Sequence, residues 1–113
     1  MKKLTQSNII CGLGINEAKG KGNILVVNSH LDFPKVKGGE VVITTNATPD
    51  FILILKKIKC LVTDEGGLTC HIAIVCRELG VPAILATGNA TKLLKEGDFV
   101  SFDTTSGNLE VIL

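Results

Sequence analysis

Residues 63–80 read TDEGGLTCHIAIVCRELG, a stretch that joins the end of a short apolar run to a glycine pair and an amphipathic segment. The apolar run at 60–63 has the length and composition of a buried strand, and Gly66 and Gly67 then mark a loop. The amphipathic segment repeats apolar residues at helical spacing, namely Ile72, Val75, Cys76 and Leu79. Gly80 comes next as a helix-ending residue. The pattern predicts a buried strand, a loop and a core-packed helix from about residue 70 to 79.

His71 lies where the glycine loop becomes the helix. Backbone N–H groups at a helix start have no partner within the helix, and the helix dipole adds partial positive charge there. Gly66 and Gly67 can adopt φ > 0 and let the backbone approach a ligand, while successive N–H groups in such a loop form an anion-binding concavity. Because a neutral imidazole is a nucleophile near neutral pH, His71 is the candidate carrier of a phosphoryl group held by these amides.

The neighbours of His71 have supporting roles in this interpretation. Thr69 and Cys70 complete the phosphate cradle, and either of them is a candidate N-cap of the helix. Whichever ring nitrogen attacks, the other should donate its proton to an oxygen atom. Thr48, Asp50 and Thr63 lie at the ends of elements that flank the loop, and they are the candidates for orienting the ring. The sequence leaves the reactive nitrogen open.

The pattern of the other polar residues does not indicate a catalytic or nucleotide-binding role. Ser29, His30 and Asp32 include the residue types of a catalytic triad, but a triad is recognised by geometry, and a polar loop explains them. Arg77 and Glu78 are interpreted as the solvated face of the helix. The segment 12–14 does not match the GxGxxG nucleotide fingerprint, and no phosphate-binding GxxxxGK[ST] loop occurs.

The cysteines and the composition limit the function classes. Cys11, Cys60, Cys70 and Cys76 contain no CxxC pair, so free thiols are expected, and no second ligand pair accompanies Cys70 and His71 to bind zinc. The net charge of +1 argues against a nucleic-acid partner. No apolar run approaches the ~20 residues that cross a bilayer, and no signal segment is visible, so a cytoplasmic protein is expected.

The 113 residues are predicted to form one domain, 1–113, with a flexible N-terminal segment at 1–8. Strands are predicted at 23–27, 40–44, 60–63 and 83–85, helices at about 51–57, 70–79 and 89–94, and a hairpin at 99–103 and 108–113. A turn is expected at Phe33-Pro34. Strands first, then alternating strands and helices, predict an α/β domain of three layers in the order sheet, sheet, helix.

The stretch from Thr63 to Ala83 closely resembles the phosphohistidine signature of the phosphoenolpyruvate-utilising enzymes, GG-x-T-[SC]-H followed by an alanine-containing helix and REL-G-x-PA. The segment 12–20 resembles the opening of that module and 90–113 its closing part, so the resemblance covers nearly the whole chain. The family includes phosphoenolpyruvate synthase, pyruvate phosphate dikinase and Enzyme I of the sugar phosphotransferase system. The cysteine before the histidine is most similar to the synthase branch. Ile72 and Cys76 depart from the smaller residues usual in the family.

The resemblance implies a swivelling β/β/α domain in which His71 is the phosphoryl carrier. The phosphoryl donor would be ATP in a separate nucleotide-binding domain or phosphoenolpyruvate in a separate barrel domain, which also binds pyruvate. No cofactor is expected on this domain itself, because Mg²⁺, ATP and phosphoenolpyruvate belong to those partners, in cis or in trans. The alternative is a non-catalytic or regulatory module derived from the carrier, which would bind a partner without phosphoryl transfer.

Overall fold

A computed structural model describes residues 9–112. The eight strands are Ile9–Cys11 (β1), Leu13–Ile15 (β2), Lys19–Val26 (β3), Val41–Thr44 (β4), Cys60–Thr63 (β5), Ala83–Leu85 (β6), Phe99–Asp103 (β7) and Asn108–Val111 (β8). The helices are Ile52–Leu55 (α1), His71–Leu79 (α2) and Ala90–Leu93 (α3), and 3-10 turns cover His30–Lys35 and Pro49–Phe51. The predicted flexible segment 1–8 and the last residue of the predicted closing strand lie outside the described residues.

The strands follow the order β1-β8-β7-β3-β4-β5-β6-β2. Strands β3, β4, β5 and β6 run parallel to their neighbours, and β2 adds an antiparallel edge to β6. On the other side, β7, β8 and β1 pair antiparallel. Strand β3 is shared, because Lys19–Asn23 pair with β7 while Ile24–Val26 pair with β4. The chain therefore forms two sheets that meet along a single strand.

Two apolar cores separate three layers. One core joins the parallel sheet to helices α1 and α2, through residues that include Val42, Leu61, Phe51, Ile72 and Cys76. The other lies between the two sheets, through residues that include Val41, Val62, Ile84, Val100 and Leu109. Alternation along each parallel strand sends neighbouring side chains to opposite cores, which is why these strands are apolar on both faces. The predicted three-layer β/β/α arrangement is confirmed.

Strand β3 begins four residues earlier than predicted, at Lys19 rather than at residue 23. Two glycines and two lysines make 19–22 a poor strand by propensity, but the five-residue ladder with β7 imposes the extended conformation. Gly20 is opposite Phe102, and a Cβ at this glycine would be 2.8 Å from the Phe102 ring. Gly20 therefore makes room for an aromatic ring on the neighbouring strand.

The helices differ from the prediction mainly at their ends. The predicted helix 51–57 is a single α-helical turn, Ile52–Leu55, preceded by the 3-10 turn Pro49–Phe51. The predicted turn at Phe33-Pro34 is part of a six-residue 3-10 helix in which Phe33 packs edge-on against Phe51. Helix α2 matches the prediction to within one residue, and its predicted apolar face packs into the core. No helix within residues 9–112 is long and apolar enough to cross a bilayer, the longest having nine residues.

Candidate functional site

The loop between β5 and α2, residues 64–70, lies at the carboxyl edge of the parallel strands. Ligands of open α/β sheets bind outside this edge. Strands β4 and β5 end in register, with Thr44 opposite Thr63, and both threonines are buried. The fold therefore delivers the glycine loop to the position where a parallel sheet presents its site.

Backbone hydrogen bonds anchor the first residues of the loop on both sides. On the β4 side, the amides of Asp64 and Glu65 donate to the carbonyls of Thr44 and Thr45, at 3.2 and 3.0 Å. On the β6 side, the amides of Ala86, Thr87 and Gly88 donate to the carbonyls of Glu65, Thr63 and Asp64, at 3.3, 3.0 and 2.9 Å. Ala86 adopts φ 59°, a conformation unusual for alanine, and it does so within this junction. The base of the loop is thereby tied to both neighbouring strands.

The carboxylate of Asp64 connects this base to helix α3. Oδ1 accepts from the Thr91 amide at 3.0 Å and from the Thr87 hydroxyl at 3.4 Å, and Oδ2 accepts from the Thr91 hydroxyl. A carboxylate at the first turn of a helix satisfies amides that the helix leaves unpaired. Asp64 is therefore engaged at α3 and does not neutralise the amides of its own loop.

After Glu65, most backbone amides of the loop have no hydrogen-bond acceptor among the described residues. The N–H groups of Gly66, Gly67, Leu68 and Thr69 have no acceptor within residues 9–112, and those of His71 and Ile72 have none either. Only Cys70 interrupts the series, because its amide donates to the Gly67 carbonyl at 3.2 Å. The stretch from Gly66 to Ile72 thus carries six backbone donors without an acceptor among the described residues, an arrangement that can bind an anion. That these donors form a phosphate cradle stays a prediction.

His71 is the first residue of α2, and its side chain is exposed. The N-cap position belongs to Cys70, which resolves the choice between Thr69 and Cys70. Neither side chain caps the helix, because the Cys70 thiol makes no capping bond and the Thr69 hydroxyl has no partner among the described residues. A helix start without a capping side chain is one that an external anion can cap.

The two glycines of the loop differ from each other. Gly66 adopts φ 113°, a conformation that other residues rarely reach, and a Cβ there would lie 3.5 Å from the Cys70 sulfur. Gly67 is outside the left-handed region, and a Cβ there would have no neighbour within 4 Å. Although either glycine can adopt φ > 0, only Gly66 does so in this loop.

The three predicted ring-orienting residues bond elsewhere in this structure. The Thr63 hydroxyl donates to the Glu65 carbonyl, inside the base of the loop. The Thr48 hydroxyl donates to Asp50, whose other carboxylate oxygen lies 3.9 Å from Nδ1 of His30. No hydrogen bond joins any of them to the His71 ring within residues 9–112. Two residues of the Ser-His-Asp set at 29–32 also have local partners. The Ser29 side chain caps the 3-10 helix by accepting from the Leu31 amide, and the Asp32 carboxylate accepts from the Asn28 amide.

Two residues that support helix α2 were not identified from the sequence. Arg77, expected to be solvated, is exposed but donates from Nη2 to the Leu68 carbonyl at 2.6 Å. At the other end of the helix, Asn16 donates from Nδ2 to the carbonyls of Cys76 and Val81, at 3.1 and 2.7 Å. Their partners are nine or more residues away, so no local pattern announces them. Arg77 thus joins the helix to the loop before it, and Asn16 joins the end of the helix to the connection that leads to β6.

The four cysteines are free thiols. Burial raises the pKa of Cys76 to about 11, with the neighbouring Cys70 adding to the shift, and burial also raises the pKa of Cys60. Both thiols are therefore held in the neutral, unreactive form. Within the described residues, no three His, Cys, Asp or Glu side chains are grouped to hold a metal ion. The site accordingly consists of one imidazole, one half-buried thiol and a set of main-chain donors.

The sequence pattern of a known family matches residues 36–107, and that family is described as the mobile domain of PEP-utilising enzymes. A probable phosphoenolpyruvate synthase of Pyrococcus horikoshii is 46% identical over 99 residues, covering 88% of this chain. The phosphoenolpyruvate synthase of Pyrococcus furiosus is 43% identical over the same length, and that of Neisseria meningitidis is 37% identical over 101 residues. The chain spans only 12–13% of the length of these relatives.

Two solved structures are also similar to this chain. An NMR structure of Enzyme I matches 66% of this chain and 31% of its own, with 35% identity and a TM-score of 0.58. A chain of Thermococcus kodakaraensis aconitase X matches 93% of this chain and 98% of its own, with a TM-score of 0.72 but 16% identity, and so shares the fold alone. The fold, the matched residues and the relatives agree: this chain belongs to the PEP-utilising enzyme family and constitutes its mobile domain.

Proposed function

We propose that this chain is a phosphohistidine carrier domain, which accepts a phosphoryl group on His71 and passes it between two sites on partner domains. One observation carries the proposal: an exposed imidazole stands at a helix start whose amides, together with those of the preceding loop, have no acceptor within residues 9–112. Oriented N–H donors stabilise negative charge better than water does, because they need no reorganisation when the charge arrives.

The transfer itself forms one bond and breaks one. The lone pair of one imidazole nitrogen of His71 attacks the phosphorus atom, and the bond from phosphorus to the donor's bridging oxygen breaks with its electron pair. The other ring nitrogen keeps its proton, so the phosphorylated ring carries a positive charge beside the phosphoryl dianion. Such transfers depend on positioning and electrostatic stabilisation. The loop and helix amides supply both to the accepting histidine.

The partners are inferred from the family and from the size of the relatives. Nothing in residues 9–112 groups the carboxylates that would hold Mg²⁺, so we derive no step through a metal on this domain. We place Mg²⁺ with ATP on a nucleotide-binding domain, and phosphoenolpyruvate or pyruvate on a barrel domain, both outside this chain. Relatives about seven times as long as this chain leave room for both sites. The domain alone is then expected to show no turnover with ATP and pyruvate.

The test tracks one phosphoryl group and uses the two histidines of the chain. The chain is incubated with radiolabelled phosphoenolpyruvate or ATP and with the remaining domains of a related synthase, and the bound label is measured after acid and base treatment. Phosphohistidine should appear as an acid-labile, base-stable label in the parent chain and in the matched control His30→Gln. His71→Gln should carry none, with its free energy of unfolding within about 1 kcal/mol of the parent, as for a surface substitution.

Absence of label in the parent chain with both competent donors would refute the carrier function. It would favour the alternative of a partner-binding module that has kept the fold without the transfer. Label that persists in His71→Gln but disappears in His30→Gln would place the acceptor on the wrong histidine and would equally overturn the proposal.

A further inference from the structure

Arg77 is the seventh residue of α2, yet its guanidinium reaches back to the loop that precedes the helix. Nη2 donates to the carbonyl oxygen of Leu68 at 2.6 Å. A hydrogen bond of this length from a cation belongs to the strong, charge-assisted class. The contact is not needed to bury Arg77, whose side chain remains exposed. It therefore acts on the Leu68 peptide group.

The peptide group that Arg77 contacts has two ends. The carbonyl of Leu68 and the N–H of Thr69 belong to the same planar trans unit, in which the two bonds point in opposite directions. A donor fixed on the carbonyl therefore fixes the direction of the Thr69 N–H on the far side. That N–H is one of the loop donors without an acceptor in residues 9–112. A cation on the carbonyl also polarises the unit and strengthens its N–H as a donor, because hydrogen bonds in a chain reinforce one another.

We propose that Arg77 is a positioning residue of the carrier site, which orients and polarises the Thr69 amide through the Leu68 carbonyl so that this amide binds the phosphoryl group on His71. The inference rests on the proposed function, and it adds a residue nearly two helical turns away from the histidine. Arg77 need not touch the phosphoryl group in this arrangement, since its effect is transmitted through one peptide unit. Its positive charge additionally raises the potential of the loop for any anion.

The experiment compares Arg77→Gln and Arg77→Lys with Glu78→Gln, a control at the adjacent exposed position of the same helix. Phosphoramidate, a small phosphoryl donor, avoids any effect on partner docking. We expect Arg77→Gln to accept the phosphoryl group about tenfold more slowly, the loss of one charge-assisted hydrogen bond. Arg77→Lys, which keeps a charged donor, should recover at least about a third of the rate, and Glu78→Gln should stay within about twofold of the parent.

A second readout monitors the Thr69 amide itself, by its ¹H–¹⁵N resonance in the unphosphorylated chain and during titration with inorganic phosphate. In Arg77→Gln this resonance should move and its response to phosphate should weaken, while the urea midpoint of unfolding stays close to that of the parent. An unchanged Thr69 resonance, or parent-like rates in Arg77→Gln, would overturn the inference, as would an Arg77→Lys variant no faster than Arg77→Gln.

The two proposals fail separately. If phosphoramidate and the partner domains both leave the parent chain unlabelled, the carrier function is refuted. The Thr69 resonance of Arg77→Gln would still report whether the guanidinium controls that amide. Conversely, a labelled parent chain with a parent-like Arg77→Gln variant would retain the carrier function and remove Arg77 from the site.

Discussion

The chain contains two Gly-Gly turns whose amides have opposite fates. In the turn before β4, the amides of Lys37 and Gly38 donate to the two carboxylate oxygens of Glu40, at 2.7 and 2.9 Å, and the Gly39 amide donates to the Lys57 carbonyl. In the loop before α2, the amides of Gly66 and Gly67 have no acceptor within residues 9–112. One turn contains its own anion, and the other presents its donors to solvent.

The difference shows that the glycine pair alone does not make an anion site. Glycine allows the sharp turn in both places, and Gly38 and Gly66 adopt similar φ values of 126° and 113°. The next residue distinguishes the two pairs, because Gly38-Gly39 precedes a glutamate whereas Gly66-Gly67 precedes a leucine. Asp64, a carboxylate shortly before the second pair, bonds to helix α3 instead. In the loop before α2, therefore, no side-chain carboxylate of residues 9–112 accepts from the amides of the glycine pair.

The largest effect is expected from Gly66→Ala compared with Gly67→Ala. At φ 113° a Cβ is strained, whereas a Cβ at Gly67 meets nothing within 4 Å. We expect Gly66→Ala to cost about 1–3 kcal/mol of stability and to slow phosphoryl acceptance about a hundredfold, because displacing the cradle by an ångström is that costly. Gly67→Ala should stay within about threefold. Stopped-time labelling and urea unfolding measure both, and equal rates for the two variants would remove the distinction between the glycines.

Asp64→Asn tests how much the hydrogen bonds at the base of the loop contribute to the stability of the fold. The Asp64 carboxylate accepts three hydrogen bonds from Thr87 and Thr91, and the substitution removes its negative charge. We therefore expect the free energy of unfolding to fall by about 2 kcal/mol. Glu65→Gln, at an exposed neighbouring position, serves as the control and should change stability by less than about 0.5 kcal/mol. Similar losses in both variants, measured by urea denaturation, would mean that the carboxylate of Asp64 has no special part.

Leu68→Glu places a glutamate directly after Gly66-Gly67, as Glu40 follows Gly38-Gly39. Leu68 is 48% exposed, so the fold should tolerate the change. The new carboxylate would compete for the loop amides and repel the incoming phosphoryl group, and we expect about tenfold slower acceptance at low salt, partly restored as salt screens the charge. Leu68→Gln matches its size without its charge and should stay within about threefold. If Leu68→Glu accepts the phosphoryl group as fast as the parent at low salt, the unpaired loop amides are not needed for acceptance.

Glu40→Gln makes the converse change in the first turn. Partial burial acts to raise the pKa of Glu40, but the amides of Lys37 and Gly38 hold the pKa below its ordinary value. A carboxyl group whose pKa is lower in the folded state contributes stability above its unfolded pKa and loses that contribution as the pH falls through the folded pKa. We therefore expect Glu40→Gln to be less stable than the parent by about 1 kcal/mol at pH 7, a value that allows for solvent screening.

The difference between the two proteins should shrink as the pH falls through the lowered folded pKa of Glu40, and vanish once the glutamate is protonated in both states. Urea unfolding at several pH values measures this. Phosphoryl acceptance at His71 should not change, since this turn precedes a different strand. A stability difference that persists unchanged in acid would show that the turn does not depend on the carboxylate charge.

Local patterns were sufficient for the elements that carry the site. The glycine pair and Gly80 bracket helix α2, and its apolar spacing indicated the buried face, because these signals act within a turn or two of the helix. Strand β3 was underestimated, since its first half is extended only by its ladder with β7, which lies about 80 residues further along the chain. The sequence pattern likewise did not predict the hydrogen bond that Arg77 donates to the Leu68 carbonyl or the one that the Thr91 amide donates to Asp64. Such contacts depend on how the chain returns on itself, which no short motif encodes.

Strand β3 has a mechanical consequence. Because one continuous strand is hydrogen-bonded to β7 along its first half and to β4 along its second, the two sheets cannot slide past each other without breaking a ladder. Within residues 9–112, the two sheets that support His71 are therefore joined through a shared strand and resist relative sliding. Under the proposed function, a phosphoryl group on His71 would therefore move by rotation of this body as a whole, and the loop at 64–70 would keep its shape.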